Sequence, residues 1–322
     1  MPLIKEAAAI LRSGGLVAFP TETVYGLGAD ASNPAAVARI YQVKGRPSAH
    51  PVIVHIADAA QLQKWVREIP EHAARLAARF WPGPLTLVLR RAAWVHDGLT
   101  GGQDTIGLRV PGHPVALALL REFGGGIAAP SANRFGRISP TSAEHVLSDL
   151  NGDVDMILDG GPCEIGIEST IVDLSRGRPV VLRPGRISED EIVQALGVAS
   201  SPPDSAAPRT PGALVSHYAP RRPLRLLGHG DWNARGQGAS ARCAVMSFQA
   251  RPAGDASALW IEASRNPQRY AHDLYANLRA LDSSGCEEIL VEDPPATVAW
   301  AAVRDRLSRA CSEWGSTPPG AR

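Results

Sequence analysis

Apolar residues recur at Ile4, Ala7, Ala8 and Leu11, a spacing that gathers them on one face of a helix over 3–13, closed by Gly14-Gly15. The period then changes. Leu16–Phe19 is a short continuous apolar run suited to a buried strand, and it runs into Pro20. Asn33-Pro34 supplies a side-chain cap and a residue preset for the first helical turn, opening a helix to about Tyr41. A strand near 52–56, helices near 58–66 and 71–80, and a strand at 85–89 follow. Over Thr105–Val110 the pattern alternates, with Ile106, Leu108 and Val110 on one face and Thr105, Gly107 and Arg109 on the other. A helix over 113–123 leads to a strand at Ile127–Ala129. Thr141-x-x-Glu144 and Ser188-x-x-Glu191 both have the form of a capping box, and strands near 155–158, 169–174 and 179–183 lie between them.

Helices interleave with isolated and with consecutive strands, which predicts an α/β fold with a mixed, twisted sheet rather than a regular doubly wound one. From about 197 to 222 the chain turns to Pro, Ser and Ala, the composition of a linker. Strands at Leu224–Leu227, Cys243–Phe248, Leu259–Ile261 and Ile289–Val291, with helices at 267–281 and 297–313, then predict a small second α/β unit. The expected organisation is a first domain over 1–196, a linker over 197–222, a small C-terminal α/β domain over 223–314 and a disordered tail over 315–322.

Composition narrows the class. Lys+Arg is 33 against Asp+Glu 32, a net charge of +1 that argues against a polycation coating nucleic acid or membrane. Four well-separated cysteines without a C-x-x-C pair suit a reducing compartment rather than a disulfide scaffold or a zinc module. The N-terminus carries Lys5, Glu6 and Arg12 and is unlike a signal peptide, and no apolar run approaches a membrane span, so a cytoplasmic protein is expected. Only three of the cations are lysines: Lys5, Lys44 and Lys64. A lysine beside Gly45-Arg46-Pro47 in so arginine-rich a chain invites a reason.

The common phosphate loops, the H-E-x-x-H zinc motif and the G-x-S-x-G elbow are all missing from the sequence. Polar residues gather instead where strands end, which is where α/β sheets build sites. Pro20-Thr21-Glu22-Thr23-Val24-Tyr25-Gly26-Leu27-Gly28 follows a strand; its bland alternative is an ordinary turn with satisfied hydroxyls. Lys44-Gly45-Arg46-Pro47 and His50 suit a polyphosphate, or else form a solvated basic loop. His55 shares a strand face with Ile53 and by itself reads as a hydrogen-bonded core histidine. Arg109, on a buried strand, needs an anion, either an internal carboxylate or a substrate one. Ser131-Ala132-Asn133, Ser139, Glu168-Ser169-Thr170 and Arg183-Pro184-Gly185-Arg186 complete the set, each also usable as a cap or a turn. Together they offer cations and hydroxyls without a metal-ligand cluster or a nucleophile–base pair. That combination binds phosphate and carboxylate and suits phosphoryl or nucleotidyl transfer by positioning and electrostatics.

Pro20–Leu27, Lys44–Pro47, Ser131–Asn133 and Ser169-Thr170 stand in the order and spacing of the YrdC-like family, which the chain resembles over about residues 1–196. His217-Tyr218-Ala219-Pro220 and residues 223–314 resemble the linker and the Rossmann-like C-terminal domain of its long form. The resemblance implies that ATP, L-threonine and bicarbonate give threonylcarbamoyl-AMP and pyrophosphate, for a tRNA modification completed by separate transferase proteins. It implies that Thr23, His55, Arg109 and Ser169, with the Ala129 backbone, line the threonine site. Lys44, Arg46, His50, Thr105, Ser131, Asn133, Ser139 and Arg183 would surround ATP, with Tyr218 reaching back from the linker. Magnesium is implied with the triphosphate, held mainly by phosphate oxygens, with no protein metal ligand assigned.

Two other readings compete. An RNA-binding module would use the same cations, but the balanced charge and five Phe and five Tyr leave few stacking platforms, so weak or no direct nucleic-acid binding is expected. A carbamoyl-transfer relative of the hydrogenase-maturation type would need paired-cysteine segments, which this chain lacks.

Overall fold

A computed structural model of the chain describes residues 2–212, 217–228, 231–232 and 240–311. The tail expected to be disordered, 315–322, and residues 213–216 of the expected linker lie outside them. The described residues fall into two compact units, one within Met1–Phe135 and Ser139–Ala213, the other within Gly136–Ile138 and Leu214–Arg322.

The first unit is built on a mixed sheet of β1 (Val17–Phe19), β2 (Gly26–Asp30), β3 (Ile53–His55), β4 (Leu85–Arg90), β5 (Thr105–Arg109), β6 (Ile127–Ala128), β7 (Met156–Ile157), β8 (Thr170–Asp173) and β9 (Val180–Arg183), in the order β7-β1-β2-β6-β3-β5-β4-β8-β9. Parallel pairs (β3·β5, β4·β8) alternate with antiparallel ones (β3·β6, β4·β5), as the mixed strand and helix order predicts. β1 is buried on both faces: Leu16 and Ala18 join one core cluster, Val17 and Phe19 another. That two-sided burial is why it reads as an unbroken apolar run. Helix Pro2–Arg12 buries the predicted Ile4, Ala7, Ala8 and Leu11.

Two local expectations are corrected. The helix begun by Asn33, whose side chain accepts from the Ala35 and Ala36 amides, runs to Lys44 rather than stopping near Tyr41. Gly45 ends it in the left-handed region at φ 63°, where a side chain would be strained. Lys44 is thus the last helical residue, not a loop residue. The helix Ala143–Leu150 is capped by Ser142, which accepts from the His145 amide, while Thr141 engages the His145 ring instead of forming a capping box. At Ser188 the capping box forms as predicted, with Glu191 returning the bond.

The second unit carries an all-parallel sheet of β10 (Leu224–Leu227), β11 (Cys243–Ser247), β12 (Leu259–Glu262) and β13 (Glu288–Glu292), ordered β10-β13-β11-β12. Helices Pro267–Asp282 and Ala301–Cys311 pack on β11 and β10. Among the described residues no helix is long and apolar enough to cross a membrane, and all four cysteines are free.

Candidate active site

The alternation on β5 delivers Arg109 to the buried end of its strand, directly opposite His55 on the parallel β3. Both are nearly inaccessible to solvent. Arg109 Nε donates to the Gly83 carbonyl at 3.2 Å and Nη1 to Thr23 Oγ1 at 3.0 Å, while Nη2 lies 2.7 Å from Glu22 Oε1. Among the described residues neither Nη2 nor the carboxylate finds an aligned hydrogen bond, so this last contact is an ion pair held by charge. The anion that Arg109 needs is therefore an internal one in the free protein.

Thr23 has a fixed polarity. Thr21 Oγ1 donates its one proton to the Val24 carbonyl at 2.6 Å, so the 2.8 Å Thr21–Thr23 contact must be donated by Thr23. Thr23 Oγ1 then accepts from Arg109 and can only accept from any third partner. His55 makes an edge contact with Phe19 at 6.1 Å, and its Nδ1 has no aligned hydrogen-bond partner among the described residues. Burial, assisted by the Arg109 charge, pushes its pKa down to about 3, so the imidazole is neutral. Ala129 donates to the carbonyl of Ile53, at the other end of the three-residue β3 from His55.

Ser169 stands one residue before β8, where Thr170 N bonds the Pro84 carbonyl, next to the Gly83 that Arg109 uses. Its hydroxyl meets Thr86 Oγ1 at 2.8 Å and accepts from Arg183 Nη2 at 3.1 Å. Arg183 also donates to the Ser169 carbonyl and, at 3.0 Å, to the Pro211 carbonyl. Thr105 lines a narrow cleft of about 10 Å³ beneath Arg209–Pro211, a segment held by Gln103, which Arg209 engages through its backbone at 2.7 Å.

A second group forms around Lys44. Its ammonium donates to the Ser131 carbonyl at 2.6 Å and to the Asn133 carbonyl. Burial, and then the neighbouring Arg46 charge, hold its pKa well below the usual lysine value. Arg46 donates to the Pro51 carbonyl at 2.7 Å and lies over the Phe135 ring, which His50 also touches at 5.5 Å. Burial and Arg46 lower the His50 pKa too. Ser139 donates to Glu168 Oε1 at 2.6 Å. The two groups are tied together: Tyr25 N bonds the Pro140 carbonyl, Ala132 N bonds the Tyr25 carbonyl, and Ser131 bridges Gly26. Tyr218 belongs to the second unit, at φ 63°, buried against His217 and Tyr275 with the Arg306 guanidinium over its ring.

The residues without an assigned role in the sequence are Glu22, Thr86, Glu168 and Phe135. Glu22 and Glu168 stood inside polar clusters, and the demand of Arg109 for an anion was the signal, but spacing alone could not choose between them. A cleft of about 410 Å³ among Arg12, Lys64, Trp65 and Trp94 contains none of the predicted site residues. Among the described residues no group of three or more His, Cys, Asp or Glu is placed to hold a metal ion.

Fold and site together define a mixed-sheet α/β protein that presents buried cations and oriented hydroxyls at the ends of its strands. The chain belongs to the Sua5/YciO/YrdC family: residues 9–185 match the family model described as "Telomere recombination", and residues 187–312 match that of the "Threonylcarbamoyl-AMP synthase, C-terminal domain". It is 43% identical to the threonylcarbamoyl-AMP synthase of Bacillus subtilis (strain 168), over 96% of this chain and 93% of that protein. The corresponding protein of Pyrococcus abyssi is 40% identical over 95% and 93%. The crystal structure of P. abyssi Sua5 complexed with L-threonine matches with a TM-score of 0.85 at 38% identity, covering 96% of this chain and 94% of that one. The YrdC-like first unit and the smaller C-terminal α/β unit are thus those of the two-domain members of the family.

Proposed function

We propose that the chain condenses ATP, L-threonine and bicarbonate to threonylcarbamoyl-AMP and pyrophosphate. One observation carries the reading at the level of residues: Arg109, buried beside Thr23 and His55, has its guanidinium fixed at a strand end in a chain that shares its length with threonylcarbamoyl-AMP synthases. In this reading Arg109 takes the threonine carboxylate, and Thr23, limited to accepting, faces a donor of the substrate. Neutral His55 places no second positive charge there, and Ser169 with the Ala129 backbone completes the threonine site. The threonine nitrogen bonds to the carbon of bicarbonate with loss of water and a proton. A carbamate oxygen then attacks the α-phosphorus as the bond to pyrophosphate breaks.

Lys44, Arg46, His50, Thr105, Ser131, Asn133, Ser139 and Arg183 are assigned to the nucleotide, lysine as a point charge and the arginines as forks. Their side chains are cations, hydroxyls, an amide and the His50 imidazole, with no carboxylate among them, and Glu168 is engaged by Ser139, so magnesium would enter with the triphosphate and take its ligands mainly from phosphate oxygens. The product would serve tRNA threonylcarbamoyladenosine formation by separate transferase proteins, in the cytoplasm, a placement that four free cysteines support. The test is pyrophosphate release from ATP and magnesium, with and without threonine and bicarbonate. Strict dependence on both is expected; nucleotide binding without threonine-dependent pyrophosphate would overturn the reading.

A further inference from the structure

Glu22 has no role toward substrate in the reading above, yet it is the ion-pair partner of Arg109. Its carboxylate is buried, 2.7 Å from Arg109 Nη2, with side-chain exposures of 4% for Arg109 and 7% for Glu22. Its own carbonyl accepts from Ile165 N at 2.8 Å, which fixes the backbone from which the side chain extends. Among the described residues neither carboxylate oxygen has an aligned hydrogen-bond donor. A buried carboxylate left that way gains little from hydrogen bonding, so what holds it in place is the charge it faces.

We infer that Glu22 is a positioning residue for threonine binding, acting through Arg109. The argument rests on the reading of Arg109 as the partner of the threonine carboxylate. Without substrate, an unpaired guanidinium at this depth would be costly, and it would relieve that cost by swinging toward water or by taking up a solution anion. Glu22 removes both escapes. It neutralises the cation and, with the Gly83 carbonyl on Nε and Thr23 Oγ1 on Nη1, holds the guanidinium from a third side. Among the described residues only Nε and one N–H of Nη1 are spent in aligned bonds, so each terminal nitrogen keeps an N–H for a bidentate carboxylate. The substrate carboxylate then meets a fork that is already oriented and need not be reorganised.

The experiment measures threonine and ATP dissociation constants on the full chain for Glu22→Gln, Glu22→Asp and Arg109→Gln, and for Glu22→Gln combined with Arg109→Gln. Glu22→Gln is expected to weaken threonine by at least about tenfold while ATP stays within about threefold, and Glu22→Asp, which keeps the charge on a shorter arm, to weaken threonine only severalfold. In the Arg109→Gln background, Glu22→Gln is expected to cost nothing further, since a residue that acts through another has no effect once that other is gone. Unchanged threonine affinity in Glu22→Gln overturns the inference. So does a parallel loss of ATP affinity, which marks a general structural role, and so does an undiminished loss in the Arg109→Gln background, which marks direct contact with the threonine ammonium. Should Glu22→Gln not fold, Glu22→Asp carries the test: its shortened carboxylate must weaken threonine severalfold and leave ATP unchanged. Failure of the wild-type chain to bind threonine would instead overturn the functional reading itself.

Discussion

His55 and Arg109 face each other across parallel strands, both buried, so the imidazole lies beside a cation that cannot move away. Burial and that charge lower its pKa from 6.5 to about 3 in the folded chain. Between those two values the unfolded chain binds a proton that the folded chain refuses. Stability from this residue is complete above pH 6.5 and is lost as pH falls toward 3, by about 1.4 kcal/mol per pH unit. Urea unfolding of the wild type and His55→Gln between pH 7 and pH 4 reads this directly. The wild-type advantage should shrink with acid; a difference that does not vary with pH would remove the buried neutral histidine.

Arg109→Ala should lower threonine-dependent turnover by about two orders of magnitude or more, as loss of a preorganised charge partner does. The deficit should be visible as pyrophosphate release at saturating ATP. Normal turnover would detach Arg109 from the substrate carboxylate.

Lys44 leads to a prediction about protons. Its ammonium is desolvated and sits near Arg46, so its pKa is lowered well below the usual 10.5. A triphosphate would raise it again, so ATP binding at alkaline pH should take up a proton, and affinity should fall as pH rises. Calorimetric titration in two buffers of different ionisation enthalpy, repeated as the pH is raised, measures that uptake. Lys44→Met should weaken ATP by about tenfold or more and abolish the uptake. Binding with no proton uptake in the wild type would separate Lys44 from the phosphates.

Gly185 is a steric prediction. A Cβ there would come to 2.4 Å from Thr170 N and 2.8 Å from the Glu168 carbonyl, both backbone atoms that cannot turn aside. Gly185→Ala should destabilise the chain by about 3 kcal/mol and disturb the Arg183–Ser169 contacts beside it. Gly228→Ala, with none of the described residues within 4 Å, should stay within about 0.5 kcal/mol. Denaturation midpoints of the two variants decide.

The alternation at 105–110 carried most of what could be read in advance. It put Arg109 on the polar face of a buried strand, and a buried guanidinium entails an anion nearby. Which anion was beyond it, because Glu22, in the loop between β1 and β2, reaches Arg109 on β5 only once the sheet has assembled. The Lys44 helix end was misplaced for a similar reason. Gly-Arg-Pro looks like a loop from its first residue, whereas the left-handed turn at Gly45 lets the helix keep Lys44. Residues 209–211 have linker composition, and composition records only how little core a segment can build. It is silent on backbone groups that find partners in Gln103 and Arg183.

The Lys44 ammonium also says something about how this chain tolerates drift in its alphabet. Thirty of its 33 cationic residues are arginine, and at a solvated position either residue serves. Between the Ser131 and Asn133 carbonyls the two are not synonyms. A flat fork spreads its donors over a plane, whereas a compact ammonium can reach two converging oxygens from a single atom. Lys5 and Lys64 are exposed and could be either residue, but at position 44 the geometry accepts only a point.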